Sequence, residues 1–425
     1  MVTQGVRRKS LLVFFKFKNA FMFKYLLFFA SLISMVSCGS EVEKNTEDLS
    51  SKSWEAIEAS AKGKEFTFMM WQGDPLINAY VRDYIKPALK EKYDITMNIV
   101  GGQGNQIVST LMAEMEAGKA SSEVDMGWIN GETFFQLRQI NALYGPFVDQ
   151  IPNSKMINWD NPFINTDFQQ PVEGFECPWG NVQMGLIYNS AMVENPPMTT
   201  DALKEFVKAN PGKFTIGNDF TGMTLLKSLM IHFAGGKGAL SGPFDEEKYQ
   251  KYSAQLWDYI NEMKPYFWNE GTSFPSDLAQ MHQLFANGEL LITMSNNDSE
   301  VDNKISQGIF PESARAYIPD FGTIQNSHYL GIIKHAANKE AAMVAINYMI
   351  SPEAQYKKMI PEVWGDRTIL SMQKLPEEWA EKFDSIPGRK YAPKRDKIQD
   401  KALMEPAPEY MIRLFEDFRT KVINQ

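Results

Sequence analysis

Cysteine is scarce: the 425 residues hold two, Cys38 and Cys177, too few for a disulfide framework or a thiolate zinc site. The four histidines, His232, His282, His328 and His335, are scattered without paired spacing, so no metal site is expected. No Gly-x-Ser-x-Gly elbow occurs, and Gly101-Gly-Gln-Gly104 lacks the Lys and the Ser or Thr of a phosphate loop. The sequence therefore offers neither a hydrolase nucleophile nor a nucleotide cradle, and no catalytic residue or cofactor is assigned. Basic charge is also short, with 43 Lys and Arg against 52 Asp and Glu. A surplus of negative charge repels phosphate backbones, which argues against nucleic acid as a partner.

Long apolar runs are missing too. The longest near the N-terminus, Tyr25 to Val36, falls short of the roughly 20 residues that a helix needs to span a bilayer. It follows a cationic start and leads into Met35-Val36-Ser37-Cys38-Gly39, so residues 1–37 read as a secretory signal, with Met22 as an alternative start. The segment before Cys38 resembles a lipobox, which implies cleavage before Cys38 and a lipid on its thiol. Without residues 1–37 the balance becomes 37 basic against 52 acidic residues, a net −15. Cys177 then has no partner and reads as a buried thiol. Residues 38–62, polar and rich in Ser and Glu, suit a flexible tether.

What is present is an ordinary globular composition, 44% hydrophobic and 22% charged, over a length that suggests two lobes. Glu65 to Trp71, Ile95 to Val100 and Glu123 to Asn130 read as strands, with helices expected over 78–93, where Pro87 kinks or ends the pattern, and over 105–117. Alternating strand and helix predict an α/β fold with parallel sheets. Further strands are expected over Pro178 to Asn189, Thr215 to Gly217 and Gly288 to Asp298, with a helical run from Met223 to Phe233. The loop-rich stretch Pro146 to Pro171 reads as the first crossing between lobes, and Tyr329 to Ile333 as the return. This divides the chain into 63–168 for the first lobe, 169–327 for the second, and 328–425 for the return and C-terminal helices.

Several motifs then fall into a family order. Leu186-Ile-Tyr-Asn189 followed by Asn195-Pro-Pro197, and Asn338-Lys-Glu-Ala-Ala342 through Ser351-Pro-Glu-Ala354, resemble elements of the extracellular solute-binding proteins of ABC importers. Trp128-Ile-Asn-Gly-Glu132, Gly145-Pro-Phe147, Cys177-Pro-Trp-Gly180, Asp219-Phe-Thr-Gly222 and Trp364-Gly365 are similar to a thiamine-type subgroup of that family. The resemblance spans roughly residues 64–420. It implies a two-lobed periplasmic-binding-protein fold of type II, with two crossovers at a hinge, a small-molecule ligand, no catalysis, and an importer's permease and ATPase as partners. A monomer held to a bacterial membrane through Cys38, in the periplasm or at the cell surface, completes that expectation.

Ligands of open sheets lie beyond the carboxyl ends of the strands. That rule selects Trp71, Gln72, Gly73 and Asp74 after one strand, and Asn130, Gly131 and Glu132 after another. It also selects Ser295, Asn296, Asn297 and Asp298. Trp179 with Gly180, and Trp364 with Asp366, add aromatic faces beside glycine-containing backbone, whereas Trp128 lies inside its strand and reads as core. Asp219, Thr221 and Gly222 open a helix, where Asp219 or Thr221 serves as cap and free N–H groups face outward. The acids among these suit a cationic solute, thiamine-like or polyamine-like. A surface lipoprotein that binds a glycan or other polymer without an importer, or a lipoprotein hydrolase, are the competing readings.

Overall fold

The computed structural model describes residues 49–424, so the signal segment and Cys38 lie outside the described residues. The strands, in chain order, are β1 (Glu65–Met70), β2 (Thr96–Gly101), β3 (Met126–Ile129), β4 (Thr166–Asp167), β5 (Gln170–Pro171), β6 (Glu176–Gln183), β7 (Gly185–Asn189), β8 (Ile292–Ser295), β9 (Ala314–Tyr317), β10 (Thr323–Ile332) and β11 (Ala402–Leu403). The large sheet runs β11-β10-β3-β1-β2, and β6 also pairs with β10. Within it β1 is parallel to β2 and β3, while β10 runs antiparallel to β3 and β6.

The second sheet, β8-β7-β9, is antiparallel throughout, which corrects the expectation of parallel sheets in both lobes. Strand–helix alternation fixes direction only where crossovers are short. Here β7 and β8 are separated by the helices Thr200–Ala209, Phe220–Phe233, Glu246–Met263 and Leu278–Ala286, a path long enough to return in either sense.

Two apolar clusters mark the two lobes. One gathers Phe66, Phe68, Met126, Ile129, Trp179 and Tyr329 around the large sheet; the other gathers Leu186, Ile187, Leu226, Leu229, Ile292 and Met411 around the small one. The passage between sheets falls at Met184, between β6 and β7, and again between β9 and β10. The stretch 146–171 packs on the first cluster through Phe147, Val148, Ile151 and Ile164 and reaches the second at Phe168.

Three local expectations also change. Residues 54–61 form a helix capped by Ser53, with Leu49, Ile57 and Ala61 buried, so the segment read as tether is folded from Leu49 onward because these apolar residues find the core. The expected kink at Pro87 is absorbed in one helical run over 75–93. Its middle, Tyr80–Ile85, is a π turn that widens the ladder just before the proline ring. Thr215 to Gly217 joins no ladder; neighbouring Phe214 and Lys213 accept single backbone bonds from Trp268 and Leu291 instead.

Candidate ligand-binding site

Both β1 and β3 end at the same edge of the large sheet, and their tryptophans meet there. Trp71 and Trp128 are half-buried, their rings edge to face with centroids 6.5 Å apart. Behind Trp128 lie Trp179 at 5.2 Å and Trp364 at 5.8 Å, and the His328 ring stacks on Trp364 at 5.5 Å. Trp179 sits in the middle of β6, a strand buried along its length, so it belongs to the core and not to a strand tip. Trp128, read as core, keeps a partly open face because its strand is short and edges onto the loop.

Under these rings lies a buried ion pair that sequence reading missed. Lys358 Nζ lies 2.5 Å from both Asp366 Oδ2 and the Trp179 carbonyl, and His328 Nε2 is 3.0 Å from the same carboxylate oxygen. Burial opposes ionisation of Asp366, but the Lys358 ammonium and the His328 ring outweigh it and hold the carboxyl below its usual range. Gly180 makes this packing possible, since a methyl there would stand 1.9 Å from Asp366 Oδ2. Gly180→Ala is accordingly expected to cost about 1–3 kcal/mol of stability, read from denaturant unfolding, with no change in net charge to explain it.

The other acids that the sequence singled out are mostly engaged. Asp74 caps the helix Pro75–Ala79 through the N–H groups of Leu76 and Ile77, and its second oxygen meets Lys304 Nζ at 2.5 Å. Because Lys304 lies on the helix Glu300–Ser306 that follows β8, this pair joins the two lobes. Asp298 is held by Arg389 and Arg395; burial raises its carboxyl, but the two guanidiniums prevail and bring it below the usual range. Asp219 caps the helix Phe220–Phe233, accepting from Gly222 N–H at 2.9 Å, and burial pushes it up to about 6. Gly222 is obligatory, since a methyl would stand 1.8 Å from the Gly217 carbonyl.

On the second lobe, Asn296 donates to Thr221 Oγ1 at 3.1 Å and keeps Oδ1 unpartnered. Ser295 and Asn297 serve the turn itself: Ser295 Oγ accepts from Asn297 N–H, and Asn297 Oδ1 from Ser299 N–H. Gln72 and Gly73 are exposed. Trp364 is buried and its carbonyl accepts from Asn303.

Asn130 opens the helix Gly131–Gln139 without a side-chain cap. Gly131, at φ 43°, donates to Asp167 and lies against Phe168. Glu132 leaves Oε2 without a partner, and burial pushes its carboxyl up to about 7 against the pull of the Lys227 ammonium. Lys227 itself is wholly buried, 2.6 Å from Glu405 and with its ammonium 4.2 Å from the Phe168 ring centroid. Neither Lys227 nor Glu405 was singled out, although a lone lysine in the apolar run Met223 to Phe233 was a readable sign. Among the described residues no group of His, Cys, Asp or Glu is placed to hold a metal ion.

Two α/β lobes joined by crossing strands, with strand ends turned to one edge, define a two-lobed periplasmic binding protein. The chain belongs to the bacterial extracellular solute-binding protein family, which it matches over residues 83–405. It is 35% identical to the Escherichia coli (strain K12) protein YnjB over 336 residues, 78% of this chain and 86% of that one. Solved structures share the fold at low identity. The TpPotD lipoprotein of Treponema pallidum matches with TM-score 0.61 and 14% identity, over 85% of this chain and all of that one. The fructose-6-phosphate-bound periplasmic binding protein AfuA of Actinobacillus pleuropneumoniae gives 0.60 and 13%, over 84% and 98%. The spermidine/putrescine substrate-binding protein PotD of Streptococcus pneumoniae gives 0.57 and 16%, over 84% and 99%. Among the described residues no helix is long and apolar enough to cross a membrane.

Proposed function

We propose that this chain is the receptor of an ABC importer, tethered by a lipid on Cys38 at a bacterial membrane facing the periplasm or the outside, and that it captures a small organic cation between its lobes. The observation that carries the cation is Glu132: a buried carboxylate with one oxygen unpartnered, four residues beyond a half-buried tryptophan that meets a second one edge to face. Aromatic faces and a desolvated acid together favour an ammonium or thiazolium-like group. Asp74, Asp298 and Asp366 are weaker candidates, since internal cations already neutralise them. One of the fold neighbours, PotD of Streptococcus pneumoniae, carries a spermidine/putrescine name, which fits this class of solute. Closure over the solute would shift the lobes toward the shape that a permease and its ATPase accept.

Tryptophan fluorescence titrations with spermidine, putrescine, thiamine and neutral sugars test the reading. Saturable quenching by a cation is expected, weakened roughly 2- to 30-fold by Trp71→Ala and about 10- to 100-fold by Glu132→Gln. Binding of sugars alone, or unchanged cation affinity in both variants, overturns it.

A further inference from the structure

Lys304 is a buried cation between two acids that belong to different lobes. Its ammonium lies 3.1 Å from Glu300 Oε1, one turn back on the helix Glu300–Ser306, and 2.5 Å from Asp74 Oδ2. That helix is part of the second lobe, where Val301 is buried and Ile305 packs against the same cluster. Asp74 stands in the first lobe, between Trp71 and Ile77, which both join the other cluster. None of the three charged side chains is more than 10% exposed, so water and salt screen the pair little. Burial opposes the Lys304 ammonium, but Glu300 and Asp74 outweigh it and hold it above its ordinary range. The neighbouring His282 adds no charge: burial first, and then Lys304, push its imidazole down to about 3.

Each half of this bridge keeps a partner when the lobes part. Lys304 retains Glu300, which rides on the same helix at i, i+4 spacing. Asp74 retains the N–H groups of Leu76 and Ile77 through Oδ1, while Oδ2 is free to meet water. Separation therefore leaves no buried, unpaired charge, the state that makes rupture of an ordinary buried ion pair so costly. One carboxylate opposite Lys304 would suffice for a permanent joint; the second, on the lysine's own helix, serves the separated state. Contact between the lobes is also placed where it matters for the aromatic wall. Asp74 follows Trp71-Gln72-Gly73 directly, and the residue before Lys304, Asn303, donates to the Trp364 carbonyl at 2.5 Å.

We infer that Asp74 and Lys304 form a releasable latch that holds the two lobes together in the free protein, with Glu300 as the partner to which Lys304 returns when they part. By setting the closed fraction of the free chain, the latch scales the apparent affinity for whichever solute the closed form binds.

Spin labels on the two lobes of the full chain test this with no solute added. Met112→Cys and Met192→Cys supply exposed positions on the first and second lobe, in a Cys38→Ser background, and the wholly buried Cys177 takes no label. Double electron–electron resonance should show one closed distance population with Asp74, Glu300 and Lys304 intact. Asp74→Asn keeps the helix cap and removes the charge, so the ratio of separated to closed molecules should rise about 10- to 100-fold. Lys304→Met should open the lobes similarly, and the two changes together should add less than about threefold, because both remove one contact. Glu300→Gln should leave the lobes closed, although it too takes a carboxylate from the same ammonium. Circular dichroism checks that each variant is folded. Distances unchanged in both Asp74→Asn and Lys304→Met, beside a lowered urea midpoint, would make the pair a static joint and overturn the inference. Opening by Glu300→Gln equal to that by Asp74→Asn would overturn it as well. Because the measurement is made on the free chain, its outcome is separate from that of the cation reading at Glu132.

Discussion

Lys227→Met is expected to lower stability by about 3–5 kcal/mol. Lys227 and Glu405 are both buried and 2.6 Å apart, and the Lys227 ammonium also packs against the faces of Phe168 and Phe220. Methionine fills much of the same volume but leaves the Glu405 carboxylate with only Asn326 Nδ2 as side-chain partner. Burial already raises the Glu405 carboxyl and Lys227 restrains that rise, so losing the lysine drives it toward the neutral acid. The deficit should therefore shrink as pH falls below the carboxylate range. Lys227→Met combined with Glu405→Leu should recover most of the loss, since a buried pair exchanged for apolar residues is close to neutral. Urea unfolding of the single and double variants reads both effects. A single-variant change below about 1 kcal/mol at neutral pH would mean that the pair is not buried as described.

The same pair shows where sequence reading stops. Periodicity located β1, β2, the helix after β2 and the strand ends, because burial imposes a period that composition records. The cap at Asp219 was legible for a similar reason: a short acceptor three residues before the N–H that it receives is a local pattern. Which acids would be neutralised was not legible. Asp74 is 230 residues from Lys304, and Lys227 is 178 from Glu405, and no local rule connects such positions. Trp179 is buried and Trp128 half-buried, the reverse of the exposure expected, for a related cause. Position along a strand was read as position relative to solvent, whereas β6 is covered on both faces and the short β3 is open at its tip. The loop-rich stretch 146–171 touches both clusters, at Phe147 and at Phe168, while the strand path changes sheets at Met184, because polar composition marks a loop without saying which core each of its apolar residues joins.

Glu132 should give folding stability and cation affinity opposite responses to pH. Its carboxyl stands at about 7 in the folded chain against an ordinary 4.5, with burial as the main cause and Lys227 opposing. Below 4.5 the acid is protonated whether or not the chain is folded. Between 4.5 and about 7 the unfolded chain has released its proton while the folded chain still holds one, so stability falls as pH rises; above about 7 this contribution is gone. That gap corresponds to roughly 3 kcal/mol across the window. Burial also raises Asp167, Glu176 and Glu405, so Glu132→Gln should remove only its own share of the slope. Affinity for a cation runs the other way, because the solute meets a carboxylate only after the proton leaves. Spermidine or thiamine binding should strengthen by up to about tenfold per pH unit toward 7 and level off above it, and Glu132→Gln should bind weakly at every pH. A buried acid with no contact to solute would give the falling stability alone. Fluorescence titrations at pH 5.5, 6.5, 7.5 and 8.5, run beside unfolding at the same pH values, thus separate a binding carboxylate from a structural one, and a flat affinity beside a sloping stability would assign Glu132 to the second kind.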